Sequence, residues 1–576
     1  MNTVQYIYKY SFKLIFLMLI SSYAHAQVEE EAERPVTIDS FDVVRDYKPL
    51  LADAVKIRRS PDMSNKRSYM PKLTYTDIKD QKLDINTGLK ELNVREMPFA
   101  VREDILSNYV KAGIGNFNTF LGEAYLSVED YEDIRFGGFV KHLGQKGTLD
   151  KQTFSKQEIG AFGRRILPDF TVDGMIGFNR YATHFYGDPI AQNGDFLNAD
   201  KDEQAFNDLY FSGELTSNYD PDAEESMSYS AKIDAYSFKD KYSASENAVA
   251  ISGYLNKKIK AFNIGANVAA DLGTMEGMQG GANSTKVNNS LAILNPYIRF
   301  KGDNYAVTLG ANLIPEFGDS TGFNVFPAAE VDFSLVPEYL HLFGGIKGTV
   351  ERGSFKRFAN DNPYLAKEQD IRNTIERMSF FGGLKGNMGA TFGYKARVFY
   401  KQLENMPMFS VNPESPYQFD VIYDGDGDNA VKHIGLEGEM NVRVSEMLNL
   451  GGRINFNDYT MVNEREAWNL PKLKLTAMAR FTLSEKLFID AEALFASERY
   501  TKTYEYATGD VSSIVDLDGQ TSLPTFFDLS ASAEYKATPQ LGIFVKANNM
   551  FNTEYEKYIN YPRLGFNFVG GLNFSF

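Results

Sequence analysis

Cysteine is absent from all 576 residues. A disulfide framework, a thiolate metal site and a lipid-bearing N-terminal cysteine are thereby excluded, while either redox compartment stays open. Tryptophan occurs once, at Trp468. Positive charge is in short supply, since 60 Lys and Arg face 76 Asp and Glu, for a formal net charge of −16. That balance argues against nucleic acid, or anionic lipid held by charge, as partners. Past the N-terminus no apolar run approaches the roughly 20 residues that a helix needs to cross a bilayer. Histidines are few, and His142, His184, His341 and His433 show no HExxH or paired spacing. No phosphate-cradling Gly-rich loop ending in Lys is present. Gly318-Asp319-Ser320-Thr321-Gly322 spells a nucleophile elbow, but that motif needs a strand-to-helix turn and a partnered histidine. A plain connection between two strands is expected there, and no enzyme emerges.

The N-terminus is patterned differently. Lys9 and Lys13 precede the apolar run Leu14–Ile20, followed by Ala24-His25-Ala26. A basic flank, a short apolar stretch and small residues at −3 and −1 predict an export signal cleaved after Ala26, with Ala24 and Ala26 as the cleavage determinants. A buried N-terminal helix is the alternative. The exported chain is then soluble, peripheral or a membrane barrel, because only helices and closed barrels satisfy the backbone inside lipid. Mean hydropathy of −0.33 does not choose between them, since lipid-facing and lumen-facing residues of a barrel cancel.

Aromatic residues and glycine are abundant, with 44 Phe, 34 Tyr and 46 Gly. Their placement is decisive. Leu564, Phe566, Phe568, Gly570, Leu572, Phe574 and Phe576 alternate with Arg563, Gly565, Asn567, Val569, Gly571, Asn573 and Ser575. The same period of two runs through Phe527–Lys536, His433–Val444, Leu473–Phe481 and Leu487–Phe495. Connections alternate too. Short turns near 129–133, 167–169, 258–261, 301–303, 337–338, 387–389, 445–446, 484–485 and 538–539 are interleaved with long connections at 182–204, 275–285, 353–373, 405–427 and 501–524. Short turns on one side and long loops on the other predict an all-β fold, a transmembrane antiparallel barrel of about 22 strands, with short periplasmic turns and longer extracellular loops. The barrel is expected over 107–576, after the signal at 1–26 and an N-terminal periplasmic or luminal segment at 27–106.

The stretch TFFDLSASAEYKATPQLGIFVKANNMFNTEYEKYINYPRLGFNFVGGLNFSF (525–576) resembles the last strands of TonB-dependent receptors. Asp528-Leu529-Ser530, the Asn548-Asn549-Met550-Phe551 corner, Tyr555, then Pro562, Gly565, Phe568 and the terminal Phe576 carry the likeness. It implies an outer-membrane receptor or transporter of unknown substrate, with Phe576 as the outer-membrane assembly signal. The implied partners are outer-membrane lipid, the barrel-assembly machinery, and an energising periplasmic protein or a surface lipoprotein, with no nucleic acid. The 27–106 segment departs from the pattern, being too short for a full plug domain. It is similar to that of barrel-only relatives of the Bacteroidota type, so a non-transporting scaffold in an envelope complex is the alternative function.

A barrel of that size encloses a wide lumen, usually plugged. The 27–106 segment, broken by Pro35, Pro49, Pro61, Pro71 and Pro98, is read as a reduced plug, a docking arm or a plain tail. The stretch Pro35–Val44 could add as a strand to an energising partner. No cofactor is expected apart from a candidate Ca²⁺ at Asp424, Asp426 and Asp428, spaced by glycines, for which a solvated acidic turn is the alternative. Tyr500, Tyr504 and Tyr506, with Tyr417, Phe419 and Tyr423, read either as exposed stacking platforms or as a membrane-interface girdle. Glu437, Glu439, Arg443, Asp490, Glu492, Asp528, Glu534 and Lys536 are expected on the lumen wall.

Overall fold

The computed structural model describes residues 108–131, 133–190, 194, 196–197, 201–218, 227–259, 262–278, 286–319, 321–389 and 391–576. The export signal with Ala24 and Ala26, the 27–106 segment and Ser320 lie outside the described residues.

A strand in lipid cannot leave its N–H and C=O groups unpaired, so a sheet there must close on itself. Twenty-two antiparallel strands, from Tyr109–Gly115 to Asn567–Ser575, form one sheet. The first strand pairs with the last, with Tyr109 opposite Ser575 and Gly115 opposite Val569. One residue beyond, Asn108 and Phe576 still exchange backbone bonds of 3.2 and 2.9 Å. The sheet has no free edge. Two further hairpins lie outside the wall, Met406–Val411 with Phe419–Asp424 and Arg499–Tyr506 with Ile514–Leu523.

Register sorts the two faces. Val140, Ile159, Phe178 and Leu209 stand opposite one another across four successive strands, and all four are exposed. One position along, Lys141 stands opposite Glu158 and their side chains pair at 2.9 Å. The apolar row continues around the wall through Val398, Ile434 and Leu572, each more than half exposed. In water such a surface would aggregate; against acyl chains it is buried. No helix among the described residues is long and apolar enough to cross a membrane, and the strands do so instead.

The glycines have a structural partner in the aromatics. On the inner face Phe139 lies across Gly160, where an added Cβ would come within 2.6 Å of the ring. Phe343 covers Gly383 and Phe381 covers Gly345 in the same way, at 2.7 and 2.8 Å. A ring laid flat over a bare backbone fills the wall's inner surface without projecting far into the lumen.

All nine expected short turns fall between consecutive wall strands, and all five expected long connections lie at the opposite end. Two details differ. The last strand begins at Asn567, so Arg563, Leu564 and Phe566 belong to the preceding connection. That connection, 549–566, is itself long and was not anticipated, because its aromatic alternation continues that of the strand.

The faces predict opposite responses to charge. Val398→Arg, on the outer face, should destabilise folding into lipid vesicles by about 2–4 kcal/mol, whereas Ser532→Arg, on the inner face, should change it little. Urea unfolding in liposomes measures both, and equal effects would contradict the assigned faces.

Candidate functional site

The longer connections do not stand apart in solvent. They bend over the mouth and pack on one another. Phe185 and Tyr186 come from the loop after Phe170–His184, and Met275 and Met278 from the end of Phe262–Glu276 and the loop beyond. Phe355 and Phe358 of the short helix Phe355–Asp361, with Tyr364 and Leu365, come from the loop after Leu340–Glu351. Phe419 and Val421 come from the first extra hairpin, and Tyr558 and Tyr561 from 549–566. Phe419 and Met275 are wholly buried.

Ring geometry shows a packed core. Tyr364 stacks on Tyr561 at 3.6 Å, Tyr186 meets Tyr561 edge-on at 5.0 Å, and Phe419 tilts against Tyr558 at 5.3 Å. Fully burying an aromatic or aliphatic side chain contributes roughly 1.5–3 kcal/mol, and a favourable ring pair about 0.5–1.5 more. Polar contacts set the register. Phe419 donates its N–H to the Tyr364 carbonyl and accepts from Ala366 N–H, both at 2.9 Å. The buried Gln369 donates to the Ala366 carbonyl and accepts the Val421 N–H at 2.7 Å. Tyr558 and Tyr186 donate their hydroxyls to the carbonyls of Asp361 and Pro562, at 2.8 and 3.0 Å.

The helix is tied to the wall by charge. Glu246 is fully buried and accepts from the Ser354 hydroxyl, the Lys356 N–H and the Tyr236 hydroxyl at 2.8–2.9 Å. Arg352 pairs with it at 2.8 Å and lies 2.8 Å from Asp271 as well. A buried carboxylate so fully matched is tolerated; removing one partner would leave the other stranded. The 549–566 loop owes its path to asparagine. Asn549, Asn552 and Asn560 adopt left-handed φ of 48°, 51° and 68°, which asparagine tolerates better than most residues. The buried Asn549 amide also bridges Thr553 and Leu564.

The aromatics singled out in sequence are here, in a different role. Phe419 is in the core, Tyr417, Tyr423 and Tyr504 pack against it, Tyr506 is buried beside Leu197, and Tyr500 packs in a separate cluster with Met406, Met408, Val431 and Trp468. They are neither an exposed platform nor a girdle, because the hairpins fold inward over the mouth. Phe185, Tyr186, Phe355, Phe358, Tyr558 and Tyr561 were missed. Their only signal was that loops in water have little reason to carry so many rings.

Asp424 is 1% exposed, and its carboxylate accepts backbone N–H groups of Gly425, Val462 and Asn463 at 2.8–2.9 Å, and the Asn463 amide at 3.0 Å. Asp426 and Asp428 lie at the surface, past Gly425 with φ 79°. No three His, Asp or Glu side chains gather in a metal-binding group among the described residues. Burial alone would raise the Asp424 pKa, but the N–H donors outweigh it and hold the group below the usual range. Asp420, on the same hairpin, is pushed up by burial.

On the lumen wall, charges expected there pair along the wall. Arg397 meets Glu437 at 2.7 Å, Arg453 meets Glu439 at 2.9 Å and Arg480 meets Asp490 at 2.8 Å. Asp528 accepts the Tyr555 hydroxyl at 3.2 Å, and Lys536 lies over the Phe488 ring.

No family model matches the sequence, and no curated protein matches it. Solved structures do. The ferripyoverdine receptor of the Pseudomonas aeruginosa outer membrane aligns over 81% of this chain and 71% of its own, at 13% identity and a TM-score of 0.56. The chain shares the barrel fold of this outer-membrane receptor. The FrpB iron transporter of Neisseria meningitidis aligns over 81% and 82%, at 10% identity and TM-score 0.59. The ferric enterobactin receptor PfeA of P. aeruginosa aligns over 81% and 80%, at 12% identity and TM-score 0.55. Likeness at such identity lies in the fold, and with the apolar outer belt it places the chain in the outer membrane.

Two measurements test the loop core. Phe419→Ala should cost the core about 3–5 kcal/mol, so limited proteolysis should cut the loops much faster while the barrel survives; unchanged cutting would mean the loops do not depend on this core. The Asp424 contribution has a defined sign. Its folded pKa lies below the unfolded value of about 3.9, so its stabilisation is complete above that pH and lost as pH falls through the folded value. Hydrogen exchange at Val462 and Asn463 should therefore stay slow at neutral pH, accelerate in strong acid, and be fast at every pH in Asp424→Ala.

Proposed function

We propose that this protein is a gated outer-membrane receptor or transporter, working in the manner of the TonB-dependent receptors whose barrel it shares. The observation that carries the reading is the aromatic loop core, which roofs a lumen enclosed by 22 strands. A lumen of that width serves passage, and a roof made of separate loops, rather than of wall strands, can part without breaking the barrel. The comparison structures are described as receptors for ferripyoverdine and ferric enterobactin and as an iron transporter, and one as a complex with pyocin S2. Capture of a solute at the outer face, with an energising periplasmic protein as partner, follows that precedent. Phe576, stacked on Phe574 at 5.8 Å on the outer face, serves the assembly machinery in this reading. Nothing in the site supports catalysis: Asp319, Thr321 and Gly322 of the elbow-like motif lead into the strand Gly322–Val336, not a helix.

A non-transporting scaffold is the second reading, and the tight packing of the roof favours it, since a permanently shut mouth presents a fixed outer surface. Single-channel conductance of the purified barrel separates the two. Intact protein, protein lacking residues 27–106, and Phe419→Ala should be compared. Gated transport expects closure in the intact chain and openings in Phe419→Ala, more so after the deletion. Silence of all three, and of Phe419→Ala combined with the deletion, would sink the transporter reading and leave the scaffold.

A further inference from the structure

Four basic side chains gather near the mouth, outside the ion pairs that run along the wall. Lys474 faces inward, in register with the buried Ala496. Arg499 is 4% exposed; it donates one guanidinium nitrogen to the Glu556 carbonyl and lies 5.3 Å over the Phe526 ring. Its Nη1 is buried with no hydrogen-bond partner. Lys557 donates only to the Asp361 carbonyl, at 2.8 Å. Arg563 has its backbone tied to the Tyr555 carbonyl at 2.9 Å, and its guanidinium sits among the phenols of Tyr181, Tyr186, Tyr364 and Tyr555. Among the described residues none of the four forms an ion pair with a carboxylate, in contrast to Arg397, Arg453 and Arg480 further along the wall.

These groups belong together. Arg499 holds residue 556, Lys557 follows it, and the bridge between Glu556 and Pro562 brings Arg563 back beside them. Lys557 and Arg563 are exposed, and Arg563 neighbours Tyr181 of the inner wall and Tyr555, which bonds the inward-facing Asp528, so the site borders the lumen. The Lys557 amine is pushed down to about 8 by desolvation in the enclosed mouth and by the cations Arg563, Lys474 and Arg499, with Asp361 opposing. Four carboxylates lie nearby and none forms an ion pair with these cations: Asp361 acts on Lys557 and Glu492 on Lys474 from a distance. Asp528 is held by Tyr555, and the Glu556 carboxyl accepts the Asn560 N–H at 2.9 Å while burial favours its neutral form.

We propose that Lys474, Arg499, Lys557 and Arg563 form an anion-binding site on the luminal underside of the roof, for a small solute bearing two or more carboxylate or phosphate groups. Guanidinium forks match such oxygens in paired hydrogen bonds, and the vacant Arg499 nitrogen lacks only an acceptor. The site rests on the receptor reading, whose cargo it specifies. Its position lies behind the aromatic core, so a solute reaches it only once the roof parts or from the lumen.

Calorimetric titration of the purified full-length chain with citrate, and separately with inorganic phosphate, tests the site. Citrate should bind, more weakly as salt rises. Arg563→Gln and Lys557→Gln should each weaken binding at least tenfold while the barrel keeps its heat-modifiable migration. Absence of binding by both anions, or equal affinity in the wild type and both variants, overturns the proposal. Binding that emerges only after removal of residues 27–106, whose Glu29-Glu30-Glu31 stretch is itself polyanionic, overturns it as a cargo site. The two ideas fail separately. Citrate binding with no conductance in any variant counts against transport alone, and conductance without binding counts against the site alone.

Discussion

Closure of the sheet is the constraint on which everything else rests. A backbone in hydrocarbon must pair every N–H and C=O within the protein, and an open edge would leave a whole row unpaired. The seam between Tyr109–Gly115 and Asn567–Ser575 removes that edge. Once it is made, inside and outside are defined for every strand, and each side chain inherits a solvent from its parity. Val140 and Ile159 meet lipid and Lys141 and Glu158 meet the lumen because the pleat has a period of two.

Closing so many strands creates a problem that closure does not solve, namely a wide hole. The described residues answer it in two ways. On the wall, many acidic and basic side chains pair across neighbouring strands, so much of the inner surface is polar but electrically matched. At the mouth, loops that would otherwise be solvated pool their aromatic rings into a shared core. The Glu246 network and the Asp424 cradle then tether that core to the wall and to a neighbouring loop. The roof is built from parts that belong to different connections, and its coherence comes only from their packing. The four cations at the mouth contrast with these pairs, since none of them meets a carboxylate in an ion pair among the described residues.

Much of the barrel was legible in the sequence because its physics is local. Alternation along Phe527–Lys536 or His433–Val444 reports the face of each residue directly, and short turns such as Ser484–Glu485 mark the ends. The C-terminal likeness pointed to the right fold, and comparison of structures agrees. The roof was not legible. Phe419 and Tyr561 lie 142 positions apart in the chain, and no periodicity links them. Asp424 looked like one of three equivalent carboxylates, yet it alone turns inward, toward N–H groups of a loop some 40 residues later.

By itself the sequence determined the strand pattern, the faces of the strands and the side of the barrel that carries the long loops, since these follow from side-chain parity and turn chemistry. Tertiary structure alone decided that the loops unite, that their aromatics are buried rather than displayed, and which charges find partners. Those outcomes depend on contacts between segments far apart in the chain. A contact of that kind leaves no trace in local composition, because either residue would look the same if its partner were elsewhere.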